Sequence, residues 1–136
     1  SGACDIRMMA ETVKKMPVIE GDSKSFIPAF GEDCDIKDEQ DLYYLAKKVA
    51  EMPKEKQPRI ALMTGKQDDL FFLHDQAKAL GEYMKGLDLR EFKYMAWDGV
   101  HDYTFWDRAI LHTISYFLQN DYDKKQIGLW TTEATL

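Results

Sequence analysis

Apolar positions recur at two different periods along the chain. Ile6, Met9, Val13 and Met16 fall at helical spacing, and Pro17 ends that run, which predicts a first helix over residues 4–16. Leu42, Leu45, Val49 and Met52 mark one face of a second helix, with Asp38 as its N-cap and Pro53 as its stop. A third stripe runs through Leu70, Leu73, Ala77, Leu80 and Met84 to Gly86, a natural C-terminal cap. Trp106, Ile110, Ile114 and Phe117 predict the inner face of a last helix, and Asp102 can cap it. Between these stripes the pattern changes. Ile60-Ala61-Leu62-Met63 is continuously apolar and bounded by Pro58 and Gly65, which fits a strand buried on both faces. Residues 91–97 are rich in aromatics and predict a second strand. Residues 54–58 are a charged linker.

Strand, helix and strand in that order make a βαβ unit, with parallel strands and a right-handed crossover. The expected class is therefore α/β, parallel strands with flanking helices. Residues 18–37 are rich in Gly, Pro, Ser and Asp and predict a long irregular excursion. Loops of that length inside a domain are usually functional; Phe26, Ile27, Phe30 and Ile36 tie this one to a core. Residues 128–136 read as a loose tail.

A chain of 136 residues is expected to form one domain and to bury roughly two thirds of its unfolded surface. With 24 acidic against 18 basic side chains the net charge is −6. That balance opposes binding to nucleic acid or anionic membranes, which need clustered Lys and Arg. No apolar run approaches the roughly 20 residues that span a bilayer. Cys4 and Cys34 fit no zinc or C-x-x-C spacing; two reduced, buried thiols are expected, with a disulfide left open. No signal peptide is visible, and a cytoplasmic location is the expectation.

The chemistry concentrates on two turns. Gly65-Lys66-Gln67-Asp68-Asp69 follows the first strand, and Gly99-Val100-His101-Asp102 follows the second. Both lie past the carboxyl ends of strands, where open α/β sheets bind ligands. A carboxylate beside a neutral His makes a general base, because the acid fixes the ring's tautomer and orientation. Asp68 and His101 are the candidate pair, with Asp69 as the rival acid. The plainer readings are a helix cap for Asp68 and a hydrogen-bonded turn residue for His101. His74 is expected near the solvent boundary, and His112 at the surface or in packing. Neither makes H-x-x-x-H or H-E-x-x-H, which speaks against zinc. Asp33, Asp35, Asp38, Glu39 and Asp41 lack the EF-hand spacing and its Gly and read as a solvated loop and helix start. The seven Met residues fall mainly at apolar positions and read as core.

The search for a nucleophile returns little. A hydrolase of this kind needs G-x-S-x-G on a strained turn. The nearest match, Gly21-Asp22-Ser23-Lys24-Ser25, ends in Ser and runs into Pro28. Ser115 is expected mid-helix, and neither Cys has a local basic setting.

Ser1-Gly2-Ala3, Phe30-Gly31-Glu32, Gly65-x-x-Asp68 with Leu70, and Gly99-x-His101-x-x-x-x-Trp106 together resemble the C-terminal half of the esterase D-like α/β-hydrolases. These are the bacterial tributyrin and acetyl esterases related to S-formylglutathione hydrolase. The resemblance implies an incomplete α/β-hydrolase sheet, Asp68 as triad acid and His101 as triad base. It implies short-chain acyl esters as substrates, with neither metal nor organic cofactor. Such enzymes are roughly twice this length and carry nucleophile and oxyanion hole in the first half. The chain is thus expected to be a fragment-like portion of a serine carboxylesterase, inactive alone and prone to self-association through an exposed sheet edge or apolar face. The competing expectation is a non-catalytic α/β interaction module on the same scaffold.

Overall fold

A computed structural model describes residues 2–15, 30–31 and 33–118. Six main elements follow one another: α1 (Ile6–Lys15), α2 (Leu42–Ala50), β1 (Arg59–Gly65), α3 (Leu73–Lys85), β2 (Glu91–Trp97) and α4 (Tyr103–Leu118). The fold is mixed α/β. Among the described residues the sheet has two strands, β1 and β2, paired parallel and in register from Arg59 opposite Glu91 to Gly65 opposite Trp97. Both strands occupy the residues that the apolar pattern predicts.

Alternation along the strands divides the core in two. Ile60, Leu62 and Phe92 pack toward α3, against Ala77, Leu80 and Met84, and α2 adds Ala46 and Tyr43 to that layer. Met63, Met95 and Trp97 face the other way, onto Phe105, Trp106 and Ala109 of α4. A smaller cluster joins Ile6 and Ala10 of α1 to Phe30, Cys34 and Ile36. The expected packing of Phe30 and Ile36 is therefore present; Phe26, Ile27, the rest of 16–29 and the 128–136 tail lie outside the described residues. β1 is less enclosed than a strand buried on both faces, because residues 59–63 are only half-buried.

Three helical expectations need correction. Asp38 does not cap α2. It opens a single 3₁₀ turn, Asp38–Gln40, and the cap is Asp41, whose carboxylate accepts from the Tyr43 N–H at 2.9 Å. Leu70 lies outside α3 and is exposed, because Leu70–Phe72 forms a 3₁₀ turn with Phe71 and Phe72 at positive φ (47° and 58°). Bulky residues rarely adopt that conformation. Here it is held by buried Gln76, whose Nε2 donates to the Phe71 carbonyl at 2.7 Å. The same side chain's Oε1 accepts from the Cys4 and Asp5 N–H groups, so one amide ties α3 to the start of α1. Finally, the inner face of α4 is not the predicted one. Phe105 is 2% exposed and Ser115 7%, whereas Ile110 is 55%, Ile114 39% and Phe117 41% exposed. The helix is apolar on two sides, and the sheet takes the side that carries Phe105.

Charged contacts lock the periphery. Arg7 of α1 donates to Asp41 at 2.6 Å and Asp38 at 2.8 Å. Burial opposes the charge on Asp41, but the Arg7 guanidinium and the Tyr43 N–H outweigh it, and its pKa falls below the usual carboxylate value. The acidic run at 33–41 thus serves as loop and helix start. No group of acids, His or Cys among the described residues is arranged to hold a metal. No helix there is long and apolar enough to cross a membrane.

Candidate functional site

The two turns that follow β1 and β2 are extensions of the same ladder. The Lys66 N–H donates to the Trp97 carbonyl at 2.9 Å and the Gln67 N–H to the Gly99 carbonyl at 3.0 Å. The Gln67 side chain returns the contact, its Oε1 accepting from the Gly99 N–H at 2.7 Å. This close approach requires glycine. A Cβ on Gly65 would lie 2.3 Å from the Gly99 carbonyl oxygen, and one on Gly99 would lie 2.8 Å from the Phe105 ring.

The stitched turns deliver Asp68 and His101 to one place. His101 Nδ1 lies 3.1 Å from Asp68 Oδ2. The Asp68 side chain is fully buried and that of His101 is 28% exposed. A neutral imidazole with Nδ1–H donating to the carboxylate keeps Nε2 as acceptor, and Nε2 makes no hydrogen bond among the described residues. Asp69, the rival acid, is exposed and plays no part in the pair. The backbone around Asp68 is fixed at both ends: its N–H donates to the Gly65 carbonyl and its carbonyl accepts from the His74 N–H. Asp68 Oδ1 is buried without a partner among the described residues.

His101 is set from the other side by α4. Asp102 caps that helix as expected, accepting from the Phe105 N–H at 3.0 Å. The Trp106 ring then meets the imidazole edge-on at 5.0 Å between centroids, and Tyr103 meets Trp106 in the same manner. Trp106 therefore restrains the ring whose other edge the acid holds. The apolar pattern puts Trp106 on a helix stripe, and nothing in it marks Gln67. The offset of five residues between His101 and Trp106 was the available signal, since it brings a side chain of the first helical turns back over the preceding loop.

The remaining candidates stay apart from this pair. His74 begins α3 half-buried, with Nδ1 buried and unpartnered among the described residues. The ring of His112 packs on Trp97 at 5.0 Å, and burial together with Lys93 pushes its pKa down. Cys4 and Cys34 are free and buried, and burial pushes the Cys4 thiol up, so Cys4 is not poised as a thiolate. Ser115 is buried mid-helix. Ser23 lies outside the described residues. The arrangement can therefore orient a base and accept a proton at Nε2, while no described side chain is hydrogen-bonded to His101 as a nucleophile would be.

Comparison with family models, curated proteins and solved structures returns no match to this chain.

Proposed function

We propose that this chain is the acid- and base-bearing part of a serine carboxylesterase that hydrolyses short-chain, acetyl-type esters, on an α/β-hydrolase fold of which it supplies the C-terminal portion. One observation carries the reading: a fully buried carboxylate 3.1 Å from Nδ1 of a partly exposed imidazole, at the shared rim of two parallel strands. In the complete site His101 Nε2 takes the proton of the attacking serine and returns it to the leaving alcohol. Asp68 holds the tautomer and stabilises the imidazolium. With no serine placed against His101 among the described residues, the chain alone is expected to be silent.

The pair itself is tested by proton NMR of the full chain. The His101 Nδ1–H should resonate far downfield and disappear in Asp68→Asn; an unchanged spectrum in that variant refutes the dyad. The ester chemistry is tested on the whole gene product with p-nitrophenyl acetate. His101→Ala should remove about 10⁴-fold of turnover, and full activity in that variant refutes the reading.

A second reading, a non-catalytic interaction module, is favoured by the apolar side chains that α4 leaves outward, Ile110, Leu111, Ile114 and Phe117. On either reading that face would drive self-association, which concentration-dependent sedimentation detects. A whole gene product without G-x-S-x-G upstream favours the module.

A further inference from the structure

Between Asp68 and the helix that follows it stand two consecutive bulky residues at positive φ, Phe71 (47°) and Phe72 (58°). Side chains of that size rarely adopt this conformation, and such strain persists only where the surroundings over-determine it. Phe72 is 68% exposed, so packing of its side chain does little to hold it. The hold comes from buried Gln76, whose Nε2 donates to the Phe71 carbonyl at 2.7 Å. That carbonyl belongs to the peptide joining the two strained residues. The amide is fixed in orientation, because its Oε1 accepts from the Cys4 N–H at 3.1 Å and the Asp5 N–H at 2.9 Å; reversed, its NH₂ group would face two donors. The start of α3 depends on the same turn. Phe72 provides no side-chain cap, and the chain reversal at Phe71-Phe72 brings the Asp68 carbonyl onto the His74 N–H at 3.0 Å. This satisfies one of the helix's orphan donors and closes residues 68–74 into a loop whose neck is the acid itself.

We propose that Gln76 is a positioning residue for the dyad. It pins the Phe71–Phe72 peptide, the pinned turn keeps the Asp68 carbonyl on α3, and the carboxylate thereby stays 3.1 Å from His101 Nδ1. Gln76 is hydrogen-bonded to Phe71, Cys4 and Asp5 and to neither member of the pair, so it acts through the loop. Without its donor the strained peptide swings toward negative φ, and the neck of the loop opens with it. The first turn of α1 belongs to the same support, since Cys4 and Asp5 aim the amide. The inference rests on the dyad of the reading above and is indifferent to its ester chemistry.

The measurement is exchange of the downfield His101 Nδ1–H with water in the full chain. Gln76→Met, which removes the donor, should speed it about ten-fold, the size of one lost hydrogen bond. Adding Phe72→Gly should recover most of the wild-type rate, because glycine takes the turn without being held. Leu80→Ala destabilises the same helix from within the core and should leave the rate unchanged; near-UV circular dichroism checks that each variant is folded. Should Gln76→Met not fold, Phe72→Val reads the same link with Gln76 in place: its β-branched side chain adds strain at an exposed position and should also speed exchange. The proposal is overturned by an unchanged rate in Gln76→Met or Phe72→Val, by an equal acceleration in Leu80→Ala, or by no recovery from Phe72→Gly. A wild-type chain without the downfield proton overturns the dyad itself, and this proposal with it.

Discussion

Helices α3 and α4 flank the same two strands and follow the turns that hold the two halves of the candidate site, yet they are built differently. α3 buries Leu73, Ala77, Leu80 and Met84 in one stripe and leaves a polar outer face. α4 is apolar on two sides, and among the described residues the side with Phe105, Ala109 and Ser115 is the covered one. Asp68 precedes the helix whose pattern admits one orientation, whereas His101 precedes one whose pattern admits two. The acid's position is set by helix packing together with the backbone bonds of Asp68 to Gly65 and His74. That of the base depends on local bonds: the Asp102 cap, the Trp106 ring and the Gly99–Gln67 exchange.

The sharpest way to break this arrangement is at the seam between the two turns. Gly65→Ala puts a methyl group into the Gly99 carbonyl, where backbone must move. We expect a loss of more than about 3 kcal/mol in urea melts, together with loss of the downfield His101 proton. Next in size is a direct contrast of the helices. In dilute, monomeric samples Leu80→Ala in α3 should cost about 3 kcal/mol, while Ile114→Ala in α4 should stay within about 0.5 kcal/mol. Equal costs would mean that the outer face of α4 is covered, and the contrast would fail. Smaller again, Asp41→Ala should cost about 1 kcal/mol through the lost cap. Asp41→Asn, which keeps the cap and removes the charge, should cost less; equal losses would assign the effect to Arg7. The smallest effect is a pH slope from α4 alone. The His112 pKa is lowered in the folded chain, so the unfolded chain binds this proton first, at about pH 6.5. Stability is full above that pH and falls as pH drops toward the folded value. His112→Gln should flatten this part of the curve. The carboxylates Asp41 and Glu91, whose pKa values are also lowered, act in a separate and more acidic window.

Much of this was legible in the residues. The strands could be placed because apolar runs bounded by Pro58, Gly65 and Gly99 admit few alternatives, and strand ends in turn place Asp68 and His101 on one rim. The face of α4 was not legible. Trp106, Ile110, Ile114 and Phe117 form as regular a stripe as the buried one, and periodicity cannot choose between two apolar faces. Leu70 reads as part of α3 because nothing at Phe71-Phe72 announces positive φ, which Gly or Asn would do. Asp38 and Asp41 are equivalent caps on paper, and the ion pairs from Arg7, 34 residues before Asp41, are visible only in three dimensions. The buried amides Gln57 and Gln76 leave no signal in the sequence for the same reason. Gln57 spans the Met52 carbonyl and the Arg90 N–H, partners far apart in sequence.

The parallel pairing of β1 and β2 also acts as a ruler. Arg59 stands opposite Glu91 and Gly65 opposite Trp97, so each turn leaves the sheet at a height counted in rungs. One residue inserted into β2 alone would advance its exit by about 3.3 Å and turn every later side chain to the opposite face. A matched insertion in both strands would lengthen the molecule and leave acid and imidazole facing each other.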